Sequence, residues 1–351
     1  MTEIDTIVTD TATRLFKDLF TAEVMRRAEA GEWLAEAWAA LADAGIPHAL
    51  IPEEHGGFGI SERVAADLIR LAGFHAVPLP LVETMLGARL LATAGLDVPE
   101  GPLAFAAIGT CDHGTLVAEG KDWRLAGKAA RVPWAREASA IVALVEEGGT
   151  ARLVRVDRGG WRIEEGANLA LEPRDTVTFD THVSTDAVAD VSLTGDALRM
   201  LGAGLRSLQI AGALDAVLTM TVDYAGERKQ FGRPIGKFQA IQQSLAILAA
   251  QTAAASGAAE LAAECLMGSP NLLLAASAKA RAGEAAGAAA AIAHQIHGAI
   301  GFTHEHALHF HTRRLWSWRD EFGGEAEWTR RLGEAMIAGG ADDLWPTITA
   351  A

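Results

Sequence analysis

Hydrophobic residues in the first hundred positions recur every three or four residues, the spacing typical of amphipathic helices. The Ala- and Leu-rich segment from Glu32 to Ala44 is followed at once by Gly45, as helices commonly end. A glycine-rich segment, Ile51 to Gly59, is predicted to be a loop, and Ser61 is placed to cap the next helix. The pattern therefore predicts a helical N-terminal domain over residues 1–98.

Between residues 103 and 192 the pattern changes to a period of two. Apolar runs at 140–145 and 151–156 flank Glu146-Glu147-Gly148-Gly149, which predicts a β-hairpin. Residues 176–183 alternate between apolar and polar side chains, which predicts a half-buried strand. Several short strands at close spacing are typical of a small β-barrel or sandwich, so we expect a middle β domain over residues 99–193.

After Leu193 the helical spacing returns, and a stripe of small and apolar residues marks a long buried helix face. The stripe comprises Leu201, Leu205, Leu208, Ala211, Leu214, Leu218 and Thr221. Gly232-Arg233-Pro234 breaks this helix, and a second one is predicted from Gly236 to about Leu266. Ser269-Pro270 is expected to start a third, Ala-rich helix toward His297. The pattern predicts a helical C-terminal domain over residues 194–351.

Charge and composition exclude several classes of partner. The 351 residues carry 45 acidic and 30 basic side chains, a formal charge of −15, which disfavours nucleic acids and anionic membranes. No 18-residue uncharged apolar run is present, and the acidic N-terminal segment resembles no targeting peptide. Cys111 and Cys265 have neither disulfide-framework nor zinc-site spacing. We therefore expect a cytoplasmic protein.

A cluster of histidines raises the alternative of metal-dependent hydrolysis, because imidazole is a common metal ligand. Six of the eleven histidines lie between residues 294 and 311: His294, His297, His304, His306, His309 and His311. No His-Glu-x-x-His spacing occurs, and on a helix His304 and His306 would point in different directions. We therefore predict that no metal is bound.

Two segments of the C-terminal domain carry candidate binding chemistry. Glu227 to Gln239 brings a guanidinium, an aromatic ring and an amide close to one turn, a set suited to phosphate and adenosine, although a solvated charge cluster gives the same pattern. Gln295 to Gly301 follows a helix rather than a strand, so it is neither a dinucleotide fingerprint nor a P-loop. Its exposed amides suit a pyrophosphate, and a plain helix end explains the glycines equally well.

Together these two segments resemble the paired C-terminal signatures of the acyl-CoA dehydrogenase family. The loop from Ile51 to Gly59 and the order of the three zones are also similar to that family. The resemblance implies an α+β fold with a helical N-terminal domain, a middle β domain and a C-terminal four-helix bundle. It also implies FAD bound between subunits and oxidation of an acyl-CoA thioester between Cα and Cβ, in which a carboxylate takes the α-proton. The residues it assigns to the adenosine-pyrophosphate end of FAD are Arg228, Phe231, Gln239, Gln295, Gly298 and Ala299.

The sequence departs from the family pattern at the flavin ring and at the catalytic base. The segment Leu103 to Asp112 lacks the Thr-Glu-Pro-x-x-Gly-Ser pattern. The position that usually holds the base is occupied by Phe322, and that of a threonine contacting FAD by Gly324. The alternative location of the base, Ala197 to Gln209, contains no acidic residue.

Two interpretations of these departures stay open. In the first, Glu321 is the base, with Asp320 and Glu325 as weaker candidates. Asp320 and Glu321 are explained equally well as a solvated helix end or as a salt bridge with Arg313, Arg314 or Arg319. In the second, the chain resembles the degenerate subunit of α2β2 steroid-side-chain acyl-CoA dehydrogenases and completes the FAD site of a second dehydrogenase chain without turnover of its own. We predict FAD-dependent α,β-dehydrogenation of an acyl-CoA by a homo-oligomer or by such a heterotetramer.

Overall fold

The computed structural model describes residues 3–108 and 114–349. The chain forms two compact units. The first runs to Leu68 and continues from Val77 to Leu198, and the second combines Ile69–Ala76 with the residues from Arg199 onward. The domain boundaries predicted near residues 98 and 193 stay predictions.

The described residues before 98 form five α-helices, and the helix end predicted at Gly45 and the helix start predicted at Ser61 are confirmed. The helices are α1 (Glu3–Leu19), α2 (Ala22–Glu29), α3 (Ala35–Asp43), α4 (Glu62–Phe74) and α5 (Leu81–Thr93). Gly45, two residues beyond α3, has a φ of 72°, which a residue without Cβ adopts readily. The hydroxyl of Ser61 accepts a hydrogen bond from the amide of Val64 (3.4 Å) and so caps α4.

The glycine-rich loop between α3 and α4 is confirmed, with one short 3₁₀ turn at Glu53–His55. The loop folds tightly on itself, because the amides of Gly56 and Gly57 donate back to the carbonyl oxygens of Glu53 and Pro52. A Cβ added at Gly57 would lie 1.8 Å from the carbonyl oxygen of Ile51, so only glycine fits this turn.

The first unit also contains two four-stranded sheets. The strands are β1 (Leu103–Ile108), β2 (Gly114–Glu119), β3 (Asp122–Pro133), β4 (Ala140–Glu147), β5 (Thr150–Asp157), β6 (Trp161–Glu164), β7 (Arg174–Ser184) and β8 (Val188–Val191). One sheet has the order β1-β4-β5-β8 and the other β2-β3-β7-β6. The predicted hairpin is confirmed, since β4 and β5 pair antiparallel with Gly148 and Gly149 at the turn.

Side chains from both sheets form one buried apolar cluster that includes Leu125, Ile141, Val154 and Phe179. Helix α5 packs on the edge of this β region, where the hydroxyl of Thr84 accepts a hydrogen bond from the amide of Leu103 (2.9 Å). This contact joins the helical and β segments of the first unit.

The second unit contains the long C-terminal helices. They are α6 (Gly195–Glu227), α7 (Gln239–Met267), α8 (Leu272–His297), α9 (Leu308–Asp320), α10 (Glu325–Gly339) and α11 (Ala341–Thr349), with a small hairpin of β9 (Lys229–Gln230) and β10 (Arg233–Pro234). One correction concerns the start of α8. It begins after Asn271 rather than at Ser269-Pro270, because the side chain of Asn271 accepts hydrogen bonds from the amides of Leu273 and Leu274.

Helices α6 to α9 share one core, as the four-helix expectation requires, and most of its side chains from α8 are alanines. Small side chains allow these helices to pack closely. Helix α7 is the one helix in the described part of the chain that is long and apolar enough to cross a bilayer. One such helix is weak evidence for a membrane span, because the core helices of many proteins meet the same criteria. A third of the apolar window of α7 is buried in the protomer.

Candidate functional site

The first predicted binding segment forms a tight hairpin between α6 and α7. The amide of Arg228 still donates to the carbonyl of Tyr224 (2.9 Å), and the amide of Ile235 donates back to the carbonyl of Arg228 (2.8 Å). Phe231 lies at the tip of the hairpin with a φ of 50° and is 93% exposed. Gln239 is exposed at the first turn of α7. The segment therefore presents its guanidinium, ring and amide to solvent in the protomer.

The rings of this hairpin form a small aromatic and cationic cluster. Phe231 and Phe238 meet edge to face with their centroids 6.1 Å apart. The guanidinium of Arg233 lies 4.3 Å from the centroid of Phe238, within cation–π distance. An aromatic surface bordered by arginines is suited to a planar, negatively charged ligand.

The second predicted segment lies at the end of α8. Gly298 has a φ of 63°, and no atom lies within 4 Å of the place its Cβ would take. Gln295, Gly298 and Ala299 are all exposed. The helix end therefore offers open backbone that a ligand can approach closely.

Tyr224 brings the two segments together. Its ring stacks on His297 with centroids 4.4 Å apart, and its hydroxyl donates to the carbonyl of His297 (3.3 Å). Because Tyr224 is one turn before Arg228, and His297 is next to Gly298, both segments lie at the same end of the bundle. That these residues bind FAD stays a prediction.

The histidines near this end serve as packing groups. His294 stacks on Phe302 (4.2 Å between centroids) and on Trp316 (5.5 Å), and its Nε2 lies 2.9 Å from the hydroxyl of Thr312. Burial lowers the pKa of His294, His297 and His306 below the ordinary value. Burial therefore favours neutral imidazoles at these three positions.

The candidate base Glu321 lies in the turn between α9 and α10 and is 7% exposed. Its Oε2 is 2.7 Å from Nε of Arg206, which is 1% exposed on α6 and also donates to the side chain of Gln209. Sequence reasoning raised a salt bridge of Asp320 or Glu321 with an arginine of α9. For Asp320 this is confirmed, since its Oδ1 lies 3.3 Å from Nε of Arg319, whereas Arg206, the partner of Glu321, comes from a helix more than a hundred residues earlier. The catalytic role of Glu321 stays a prediction.

The next residue, Phe322, packs directly against α6. A Cβ added at Gly202 would lie 2.5 Å from the ring of Phe322. The ring centroid is also 5.7 Å from the guanidinium of Arg206. At the position where the resemblance places a base, this chain therefore has an aromatic ring against a glycine and beside a paired arginine.

Lys279 on α8 is a residue that sequence reasoning missed. It is 0% exposed, and its ammonium donates to the carbonyls of Arg319 (2.5 Å) and Gly323 (2.9 Å). Burial lowers the pKa of Lys279 to about 7, although the charges of Glu321 and Asp320 oppose that shift. The sequence did contain an indication of its burial, because Lys279 lies four residues after Ala275 and three before Ala282, on the same face of α8 as these buried alanines.

The comparisons with known proteins identify the family. Residues 200–334 match the model of the acyl-CoA dehydrogenase C-terminal domain. The chain is 33% identical over 276 residues to acyl-CoA dehydrogenase IpdE2 of Mycobacterium tuberculosis, which covers 76% of this chain and 75% of that protein. The chain belongs to the acyl-CoA dehydrogenase family.

Solved structures of acyl-CoA dehydrogenases share the fold. The ChsE4-ChsE5 complex from Mycobacterium tuberculosis contains a chain with a TM-score of 0.81 and 23% identity, covering 96% of this chain and 98% of that one. The Tcur3481-Tcur3483 steroid ACAD gives a TM-score of 0.84 and 26% identity with the same coverage. The predicted α+β class, with helical terminal parts around a β region, is confirmed.

Acyl-CoA dehydrogenases are FAD-dependent flavoproteins, and the exposed segments fit the nucleotide half of FAD. The exposed guanidinium of Arg228 has the charge that suits a phosphate, the exposed ring of Phe231 has a free face that suits an adenine, and the open backbone at Gly298 leaves room for a ligand. Of the segment that the resemblance compares with the family's flavin-ring motif, Leu103–Ile108 forms β1, whereas Gly109 to Asp112 lie outside the described residues.

Proposed function

We propose that this chain is a subunit of an FAD-dependent dehydrogenase that introduces a double bond between Cα and Cβ of an acyl-CoA thioester. The observation that carries the proposal is the meeting of the two nucleotide-type segments at the contact of Tyr224 with His297. When bound, FAD supplies the acceptor for the hydrogen that leaves Cβ.

In this proposal the chain holds the adenosine-pyrophosphate end of FAD. The guanidinium of Arg228 binds a phosphate by a charge-assisted hydrogen bond, and the ring of Phe231 packs against the adenine. The amides of Gln239 and Gln295 and the backbone at Gly298 and Ala299 provide further hydrogen bonds.

Assembly with a second chain is part of the proposal. A phenyl ring as exposed as Phe231, in the hairpin that precedes α7, and the apolar window of α7, of which only a third is buried, are better accommodated at an interface. We propose a second acyl-CoA dehydrogenase chain as the partner, since a structurally similar chain belongs to the ChsE4-ChsE5 complex. The cytoplasmic location expected from the acidic sequence belongs to the same proposal.

A second candidate function, a structural subunit that completes the FAD site of its partner, is favoured by the turn after α9. The carboxylate of Glu321 is already paired with Arg206, and Phe322 stands where a base is expected. In this version the partner chain supplies the carboxylate that removes the α-proton.

Purification of the chain alone and with a co-expressed second dehydrogenase chain tests the proposal. We expect flavin absorbance in at least one of the two preparations, and its bleaching when an acyl-CoA is added without oxygen. Steroid-side-chain acyl-CoAs are the first substrates to try, because the similar Tcur3481-Tcur3483 protein is a steroid ACAD. A colourless protein in both preparations would refute the proposal.

One substitution distinguishes the two versions. If Glu321 is the base, the complex with Glu321→Gln binds flavin and acyl-CoA but no longer transfers hydrogen. If the partner supplies the base, the folded fraction of the same variant keeps its turnover per bound flavin. Glu334→Gln, which changes an exposed glutamate of α10, is the matched control.

A further inference from the structure

The turn between α9 and α10, Asp320 to Gly324, has an unusual backbone. Phe322 has a φ of 56° and Gly323 a φ of 101°, two consecutive left-handed residues immediately after the end of α9. Glycine accepts this conformation, whereas a bulky residue such as phenylalanine rarely does. Such a conformation persists only where the surroundings enforce it, and it is concentrated at functional sites.

Side-chain donors from three helices enforce this conformation. The indole of Trp328 on α10 donates to the carbonyl of Phe322 (3.1 Å), and Arg199 on α6 reaches the same oxygen (3.4 Å). Lys279 on α8 binds the carbonyls of Arg319 and Gly323. Side chains thus donate hydrogen bonds to three carbonyl oxygens within five residues.

Lys279 occupies the central place in this arrangement. Burying an ammonium group is unfavourable, and an apolar side chain of similar length would avoid that penalty. The charged groups that act on it are Glu321 and Asp320 beside the turn, Arg206 on α6 and Glu325 on α10. The carboxylate of Glu321 is paired with Arg206, and the ammonium of Lys279 donates to the two backbone oxygens.

We propose that Lys279 is a positioning residue that fixes the backbone of residues 319–323. Because Lys279 binds the carbonyls of Arg319 and Gly323, it holds the Phe322 ring against Gly202 and the Glu321 carboxylate against Arg206. The consequence for catalysis rests on the proposed function, because the resemblance places the reacting groups of this family at the same turn.

Cleavage by an arginine-specific protease tests the positioning without any cofactor. The bond after Arg319 contains the very carbonyl that Lys279 binds, so the Lys279→Met variant should be cut there at least tenfold faster than the unsubstituted protein. The ratio of this rate to that of cleavage after Arg330 on α10, an exposed arginine of the same unit, removes any general loss of stability of that unit. Lys279→Arg keeps donors and should restore part of the protection, and Lys237→Met, an exposed change, is the control. An unchanged ratio in Lys279→Met would overturn the proposal.

The flavin-loaded complex tests the consequence for catalysis. We expect Lys279→Met to lower kcat for flavin reduction with little change in KM, to shift the visible flavin bands and to change the pH profile. Faster cleavage after Arg319 with unchanged kcat, spectrum and pH profile would overturn the link to the reacting groups. Absence of flavin from the unsubstituted complex would instead contradict the proposed function, and the protease result would stand.

Discussion

Separation of the Arg206–Glu321 ion pair is expected to be strongly destabilising. Both side chains are almost fully buried, and their atoms approach to 2.7 Å. Glu321→Gln leaves the Arg206 guanidinium buried without its counter-charge, which costs about 3–5 kcal/mol. Converted with the usual dependence of about 2–4 °C per kcal/mol for a unit of this size, the melting temperature should fall by roughly 6–20 °C.

Replacing both partners by apolar residues should cost far less. In Arg206→Met with Glu321→Leu no charge remains buried, so we expect this double variant to be within about 1–2 kcal/mol of the unsubstituted protein, or more stable. The double-mutant cycle of the unsubstituted protein, Arg206→Met, Glu321→Leu and the double variant therefore yields a large coupling energy between the two positions. Urea denaturation followed by circular dichroism, with a thermal melt of the same samples, measures all four proteins.

The matched control is the ion pair of Arg330 with Glu334 on α10, which is also close (2.6 Å) but is about 60% exposed on both sides. An exposed helix pair of this spacing contributes only about 0.3–0.5 kcal/mol. If Glu321→Gln melts as close to the unsubstituted protein as Glu334→Gln does, the buried pair lacks the energetic role that its geometry indicates.

Three further predictions concern the cofactor and the response to pH. Arg228→Ala should weaken FAD binding by about 1.5–3 kcal/mol, or roughly 10- to 150-fold, which flavin titration of the apoprotein measures; Arg162→Ala should leave it unchanged, and equal affinities would exclude the phosphate role. Folding lowers the pKa of Lys279 from 10.5 to about 7, so between these pH values the unfolded chain binds more protons and the free energy of unfolding should rise with pH. Melting temperatures measured against pH should show a smaller rise in Lys279→Met than in the unsubstituted protein. Parallel curves would contradict the lowered pKa. Burial lowers the pKa of His311 from 6.5 to about 4, and its Nε2 lies 2.9 Å from the carbonyl oxygen of Phe74, so the free energy of unfolding should fall as the pH drops from 6.5 to 4. His311→Gln keeps a donor and should make this loss smaller in acid titrations followed by fluorescence. An equally steep loss in the variant would contradict the role of His311.

Local chemistry made much of the fold predictable. Gly45 and Ser61 mark helix ends through backbone freedom and a side-chain cap, and both effects act within a few residues. The hairpin of β4 and β5 follows from alternation and two glycines. The start of α8 was wrong by about two residues because two capping patterns overlap, and the side chain of Asn271 reaches two amides at once.

Only the part of the candidate site that depends on neighbouring residues in the sequence was predictable. The two nucleotide-type segments are contiguous in sequence, so their residue types could be recognised. The partner of Glu321 lies 115 residues away on α6, and no spacing rule connects such positions. Lys279 was missed because a lysine is normally exposed, although its helical position already matched that of buried alanines.

Because of the contact between Gly202 and Phe322, the residue type allowed at one of these positions depends on the residue type at the other. Since any side chain at position 202 would collide with the ring, a larger residue there is tolerated only together with a smaller one at 322. A carboxylate side chain at 322 would lack the ring with which a side chain at 202 collides. It would also lie close to the guanidinium of Arg206, whose positive charge attracts it. Among related chains, the identities at positions 202 and 322 should therefore change together, with a residue larger than glycine at 202 only where the residue at 322 is smaller than phenylalanine.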